Sequence, residues 1–217
     1  MVAGSAYLVV PPGEGPHPGV LVLHSWWGLT TFFKEVCDRL SDLGYVALAP
    51  DLNMGEVAET PAAAEARLAD ADMSQIAQLV VASAGTLRKL PKTTDGPIGV
   101  LGFSMGASWA MWLATRAQDE VRATVAYYGS QAIDFEGITS PILGHFADHD
   151  SMVAEDDVTE MYAHLKLVGV DVDFYTYPGT SHWFAEEDRV PAFQQDAAAV
   201  AWDRTVAFLG EHLPPNQ

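Results

Sequence analysis

The chain has 217 residues, 49% of them hydrophobic, with 29 acidic against 11 basic side chains and a formal net charge of −18. That length fits one domain, 1–217, large enough for a sizeable core. The charge excludes nucleic acid and anionic membrane surfaces as partners, and no apolar run approaches the ~20 residues a bilayer-spanning helix needs.

A single cysteine, Cys37, excludes an internal disulfide and suits a reducing compartment. The opening Met1-Val2-Ala3-Gly4-Ser5 has no basic stretch of the signal-peptide kind, so a cytoplasmic, soluble protein is expected.

In chain order, strands and helices alternate. Tyr7–Val10 reads as a short strand, followed by a turn over Pro11–Pro18. Gly19–His24 is an unbroken apolar run of the buried-strand type. Phe33, Val36, Cys37 and Leu40 then recur at helical spacing, and Gly44 sits where a glycine stop belongs. Tyr45–Ala49 is the next strand.

Residues 62–90 predict two helices, or one broken near Ala71. Between 53 and 72, five acids (Glu56, Glu59, Glu65, Asp70, Asp72) face one base, Arg67. Such a run reads first as a solvated face, and part of it is a candidate lid. Further on, Ala123–Tyr128, Pro141–Ala147 and Val172–Tyr177 are strands. Val158 to Val168 and Ala199 to Leu213 mark amphipathic helices, and 214–217 is expected to fray. The alternation predicts an α/β protein with a mostly parallel sheet and helices on both faces.

The chemistry centres on Ile98–Ala107. An apolar run enters Gly102-Phe103-Ser104-Met105-Gly106, a G-x-S-x-G, and helix-forming residues follow. A serine lifted on such a strand–turn–helix corner is a nucleophile elbow, with small residues required two positions either side. The motif alone is weak in a chain with 18 glycines; an ordinary Gly-rich loop or a phosphate-binding turn fits it too.

A serine hydroxyl needs a base, and the base needs a third group to orient it. His182, after the last strand, is placed to reach the elbow from the same sheet edge. The acid is Asp148 or Asp150, which share one parity along a prolonged strand, so alternation does not choose between them. His145, Asp148, His149 and Asp150 also invite a metal reading, but the segment is strand-like and no second ligand pair is evident.

The elbow, the loop His24-Ser25-Trp26-Trp27-Gly28-Leu29, the turn Ala49-Pro50-Asp51-Leu52 and the segment His145–Val153 together resemble the dienelactone hydrolase family of α/β-hydrolases. The similarity spans nearly the whole chain. It implies the α/β-hydrolase fold, places the catalytic histidine at His182, and selects Asp150, since the family's acid lies in a phrase like F-G-x-x-D-x-x-V.

Three departures stand out. The family's best-known members carry cysteine where this chain has Ser104, and glutamate, which helps control the thiol, where it has Ser25. Losing both together is chemically coherent for a serine nucleophile. Those members also hold a substrate carboxylate with arginines, one shortly after the histidine. Glu186 occupies that position here, and Arg67 is the one arginine between Asp51 and the elbow. An acidic mouth without an arginine clamp disfavours a carboxylated lactone.

The oxyanion donors are expected to be the amides of Met105, just after the nucleophile, and Trp26, in the loop after the second strand. Ser25, Trp27, Phe103 and Trp183, with Trp26 and Trp109, are the candidate pocket wall. The reading is a cofactor-free and metal-free serine hydrolase whose partner is a small ester or lactone; the pattern specifies no oligomeric state. A thioesterase on the same three residues and an idle hydrolase fold that binds a small molecule remain as alternatives.

Overall fold

The computed structural model describes residues 5–215. Met1–Gly4 and the last two residues of the expected frayed tail lie outside the described residues.

The elements run β1 (Ala6–Val9), β2 (Gly19–Leu23), α1 (Thr31–Asp42), β3 (Val46–Pro50), α2 (Pro61–Asp70), α3 (Met73–Arg88), β4 (Ile98–Phe103), α4 (Met105–Arg116), β5 (Val121–Tyr127), β6 (Ile142–His149), α5 (Glu155–Leu167), β7 (Val172–Ser181) and α6 (Gln195–His212). They build one seven-stranded sheet in the order β1-β3-β2-β4-β5-β6-β7. Only β1 is antiparallel, against β3; all other pairings are parallel.

The apolar runs have their reason in this layering. β2 sends Leu21 and Leu23 into the core beneath α3 and α4, and Val20 and Val22 into the core beneath α1 and α6. β4 divides likewise, Ile98 and Val100 on one side and Leu101 and Phe103 on the other. A strand buried on both faces has no polar side to show, so the period-two signal vanishes. On α1 the buried stripe is Phe33, Val36, Cys37 and Leu40. Cys37 has no exposed surface and burial pushes its thiol up to about 12, which makes it a packing residue.

The break near Ala71 is real and has a local cause. Asp72 caps α3 by accepting from the amides of Ser74 and Gln75, while Thr60 caps α2 through the amide of Ala63.

Two strands run past their predicted ends. β6 continues through Asp148 and His149, and β7 continues through Pro178 to Ser181. Proline was expected to stop β7, but β7 is the sheet's edge and pairs only with β6. An edge strand has one unpaired side, where a missing N–H costs no ladder bond. Among the described residues no helix is long and apolar enough to cross a membrane.

β2 is flanked by β3 on one side and β4 on the other, so the chain reverses its direction of travel across the sheet there. The crevice outside the carboxyl ends of β2 and β4 is therefore the switch point where such sheets hold ligands.

Away from that crevice, His145 of β6 is sealed in the core. It hydrogen-bonds the Tyr177 hydroxyl at 2.8 Å and Thr205 Oγ1 at 3.1 Å. Burial, helped by the nearby Arg204 charge, pushes its pKa down to about 3. The folded state thus binds fewer protons than the unfolded state below about pH 6.5, so this part of the stability is lost as pH falls. Relative to His145→Gln, the wild type should lose about 1.4 kcal/mol of unfolding free energy per pH unit between pH 6 and 4. Urea titrations of both proteins at several pH values read this directly, and parallel pH dependences would contradict it.

Candidate active site

Ser104 connects β4 to α4 with φ 53° and ψ −116°, a left-handed conformation that a side chain adopts only when its surroundings compel it. The compulsion comes from the flanking glycines. A Cβ on Gly102 would lie 2.2 Å from the Gly106 carbonyl oxygen, and one on Gly106 would lie 2.1 Å from that of Leu23. The corner is that tight because α4 starts directly against the end of β2. Ser104 N–H donates to the Tyr127 carbonyl at 2.9 Å, tying the corner to β5.

His182 follows β7 directly. Its Nε2 lies 2.8 Å from Ser104 Oγ. Its Nδ1 lies 2.7 and 2.9 Å from the two carboxylate oxygens of Asp150. A carboxylate only accepts, so Nδ1 carries the ring proton and Nε2 presents its lone pair to the serine hydroxyl. The carboxylate is itself held, its Oδ1 accepting from the amides of Met152 and Val153 at 2.8 and 2.9 Å. The His182 and Asp150 side chains are almost wholly buried, at 3% and 6% exposure, so solvent does little to screen their contact.

The end of β6 separates the two aspartates. The strand stops at His149, so Asp150 lies beyond it and the alternation on which equal parity rested no longer governs its side chain. Asp148 turns outward, accepts from the Gly179 amide and sits 3.5 Å from exposed His149. His145 is on its own in the core, and among the described residues no three His, Cys, Asp or Glu side chains converge as a metal group would require.

Trp26 and Met105 border the same space as Ser104. Met105 is the first residue of α4, where amides point out of the helix without an internal acceptor. The Trp26 segment is held from below. His24 Nδ1 donates to the Ser25 carbonyl at 2.7 Å and its Nε2 accepts from Leu52 N–H at 2.9 Å. Burial pushes His24 down to about 4, so this double contact is made by the neutral ring. The Trp26 carbonyl accepts from Asn53 Nδ2.

The cavity at Ser104 has a volume of about 460 Å³. Its apolar wall is Trp26, Leu68, Met73, Met105, Trp109, Trp112 and Met152. Ser104, Ser108 and Gln131 are its polar members, and among the described residues no ionisable side chain lines it. Leu68 comes from α2 and Met73 from α3, so the acidic 53–72 segment reaches the cavity through Leu68.

Of the six residues expected in the wall, Trp26 and Trp109 line this cavity and the other four do not. Trp27 packs against Ala58 and Ala64, Phe103 stacks on Tyr127 in the core, and Trp183 packs on Trp26 and Trp27. Ser25 is fully buried and donates to Glu186 Oε2 at 2.9 Å.

Two further expectations change. Arg67 is not free to clamp a substrate: it donates to the Asn53 carbonyl and pairs with Glu56, beside a separate cavity of about 900 Å³. Nor is the mouth acidic at Glu186, which is completely buried, with Tyr128 OH donating to its Oε1 at 3.1 Å. The Glu186 network escaped the sequence because its partners lie 161 and 58 positions away. Trp112, one helical turn from Trp109 on α4, also lines the cavity and was missed by the sequence reading.

The family model for the dienelactone hydrolase family matches residues 5–213. Protein usf of Aquifex pyrophilus is 35% identical over 216 residues, covering 95% of this chain and 93% of that one. The Aquifex aeolicus relative named "Putative carboxymethylenebutenolidase" is 32% identical, with the same coverage. Among solved structures, a dienelactone hydrolase-like promiscuous phosphotriesterase from metagenomic libraries superposes with a TM-score of 0.82, covering 97% of this chain and 99% of that one. It is 21% identical, so that likeness speaks to the fold alone.

Proposed function

The chain belongs to the dienelactone hydrolase family and is a carboxylic ester hydrolase of the α/β-hydrolase fold; from that premise we propose that it cleaves small, uncharged esters or lactones through Ser104, His182 and Asp150. The observation that carries this reading is the unbroken hydrogen-bonded chain from Ser104 Oγ through His182 to Asp150.

On this reading Ser104 Oγ attacks the carbonyl carbon as His182 Nε2 takes the hydroxyl proton, and Asp150 stabilises the imidazolium. The amides of Met105 and Trp26 receive the developing oxyanion, a donor of this kind being worth about 2.7–4 kcal/mol in the transition state. The C–O bond to the leaving group then breaks, and Nε2 returns the proton to the departing alkoxide. Water, deprotonated by the same nitrogen, attacks the acyl-serine, and collapse of that intermediate frees the acid and restores Ser104.

The substrate class follows from the wall. Three tryptophans, three methionines and a leucine, with no cation among the lining residues, favour an aromatic or apolar group. A substrate carboxylate would be desolvated there without a partner. Phenyl acetate should therefore exceed a carboxylated lactone of similar size in kcat/KM by about tenfold or more, the ~1.4 kcal/mol that an unpaired charge readily costs.

A fluorophosphonate tests the nucleophile. It should add one phosphonyl group, located by mass spectrometry on the Ser104 peptide. An unlabelled Ser104 in the folded protein would leave a small-molecule binder as the better reading.

A further inference from the structure

One buried carboxyl joins the segments that surround Ser104. Glu186 has no exposed surface, and both its oxygens accept from hydroxyls, Oε2 from Ser25 and Oε1 from Tyr128. Ser25 immediately precedes Trp26. Tyr128 follows β5 with φ 38° and lays its ring against His182, centroids 5.0 Å apart. Glu186 closes the turn that begins at His182, its amide donating to the Trp183 carbonyl at 2.9 Å. Among the described residues no lysine, arginine or histidine forms an ion pair with Glu186.

We infer that Glu186 is a positioning residue whose neutral form clasps the Trp26 loop to the His182 turn, and whose ionisation shuts the site down at alkaline pH. The inference rests on the roles proposed above for Ser104 and His182.

The physical argument has two parts. Burial, with the Asp188 charge adding to it, raises the carboxyl to about 8, against the opposing pull of the two hydroxyls and Arg189. At pH 7 the clasp is therefore mostly uncharged. Once the proton leaves, a full negative charge sits beside Ser25, one residue from the Trp26 amide. In a buried setting that charge opposes the oxyanion growing on the substrate.

The surrounding groups do not supply this transition themselves. His24, beside Ser25, is already neutral, and burial holds the Tyr128 phenol well above its ordinary value. Asp188 and Arg189 are paired with each other on the next turn. His182 stands across the Tyr128 ring.

The test is the pH dependence of kcat and KM for phenyl acetate, corrected for spontaneous hydrolysis, between pH 6 and 10. Wild-type kcat should fall about tenfold from pH 7 to 9, as a single group near pH 8 ionises, with KM little changed. Glu186→Gln carries no ionisable group, so its ratio of kcat at pH 9.5 to kcat at pH 7 should exceed the wild-type ratio by about tenfold or more. Ser25→Ala and Tyr128→Phe each delete a donor that favours the ionised carboxylate, so each should move the alkaline limb to higher pH.

A merely structural carboxyl would lower activity in Glu186→Gln evenly at every pH and leave the limb in place; that result overturns the inference. If circular dichroism shows Glu186→Gln unfolded, the other two variants decide, and an unmoved limb in both overturns it equally. Ser104→Ala runs alongside. Turnover surviving in that variant removes the nucleophile assignment, whereas turnover lost there without a wild-type alkaline limb removes this inference alone.

Discussion

Ser104→Ala and His182→Ala should each lower kcat/KM for a neutral aromatic ester by roughly a thousandfold or more, and the double variant should be little worse than either, because groups that act as a unit do not lose activity additively. Asp150→Asn should lose about 10³- to 10⁴-fold, and the reason is tautomeric. An asparagine amide that donates to Nδ1 forces the ring proton onto Nε2, leaving no lone pair for the serine hydroxyl. Asp148→Asn should retain activity within a few fold, since Asp148 is engaged with the Gly179 amide and His149 and not with the imidazole. Steady-state kinetics on the five purified variants settle the comparison. A near-wild-type Asp150→Asn would show that the hydrogen-bonded chain is not the one that does the chemistry.

Gly106→Ala is the substitution expected to damage the fold most per atom added. The new methyl would lie 2.1 Å from the Leu23 carbonyl oxygen and 2.6 Å from that of His24. Both are backbone atoms at the end of β2, with no rotamer to relieve the overlap. The end of β2 must then move away from the start of α4, carrying Ser25 and Trp26 with it. A loss of about 3 kcal/mol or more is expected, the upper end for overpacking, accompanied by loss of turnover. Gly99→Ala is the control. Its methyl would meet the ends of Leu213, Leu209 and Val20 at 3.1–3.4 Å, side chains that yield by rotation, so about 1 kcal/mol is expected. Denaturant midpoints measure both, and a Gly106→Ala protein as stable and active as wild type would mean that the elbow tolerates a wider corner than its contacts suggest.

These two results bear on how the family scaffold accommodates a serine. The glutamate that the family's best-known members carry in the loop after β2 is absent from this chain, where Ser25 stands instead. A buried carboxyl nevertheless meets Ser25, because Glu186 reaches it from the turn after His182. With no cation among the described residues pairing it and a pKa raised to about 8, it contributes a neutral hydrogen-bonding group near pH 7 instead of an exposed charge. That removes the electrostatic ground on which an acidic mouth was expected to repel anionic substrates. The apolar cavity wall disfavours them for a different reason, the lack of any partner for their charge.

The element types, the parallel layering and the position of the elbow were legible in the sequence because each depends on near neighbours. A strand buried on both faces must be apolar throughout, as β2 and β4 are, and an amphipathic helix must repeat its apolar residues each turn, as α1 does. A serine corner pressed against another strand must have glycine two positions either side. His182 was placed by topology, since a loop after the last strand shares a sheet edge with the elbow, and by the family resemblance. Everything that depended on distant pairing was decided only by the tertiary structure. Alternation could not separate Asp148 from Asp150 and only the family resemblance pointed to Asp150; in the fold β6 ends at His149 and Asp150, beyond it, meets the imidazole. Trp27, Phe103 and Trp183 are apolar like Trp109 and Trp112, and nothing in their local sequence tells a buried ring in the core from one facing a cavity. Glu186 looked like an exposed acid because charge is almost always solvated. Its burial is a property of Ser25 and Tyr128, which the fold brings to it from 161 and 58 positions away. Local pattern reports what a residue prefers, while the energy of a buried carboxyl is set by which hydroxyls and which charges the folded chain puts beside it.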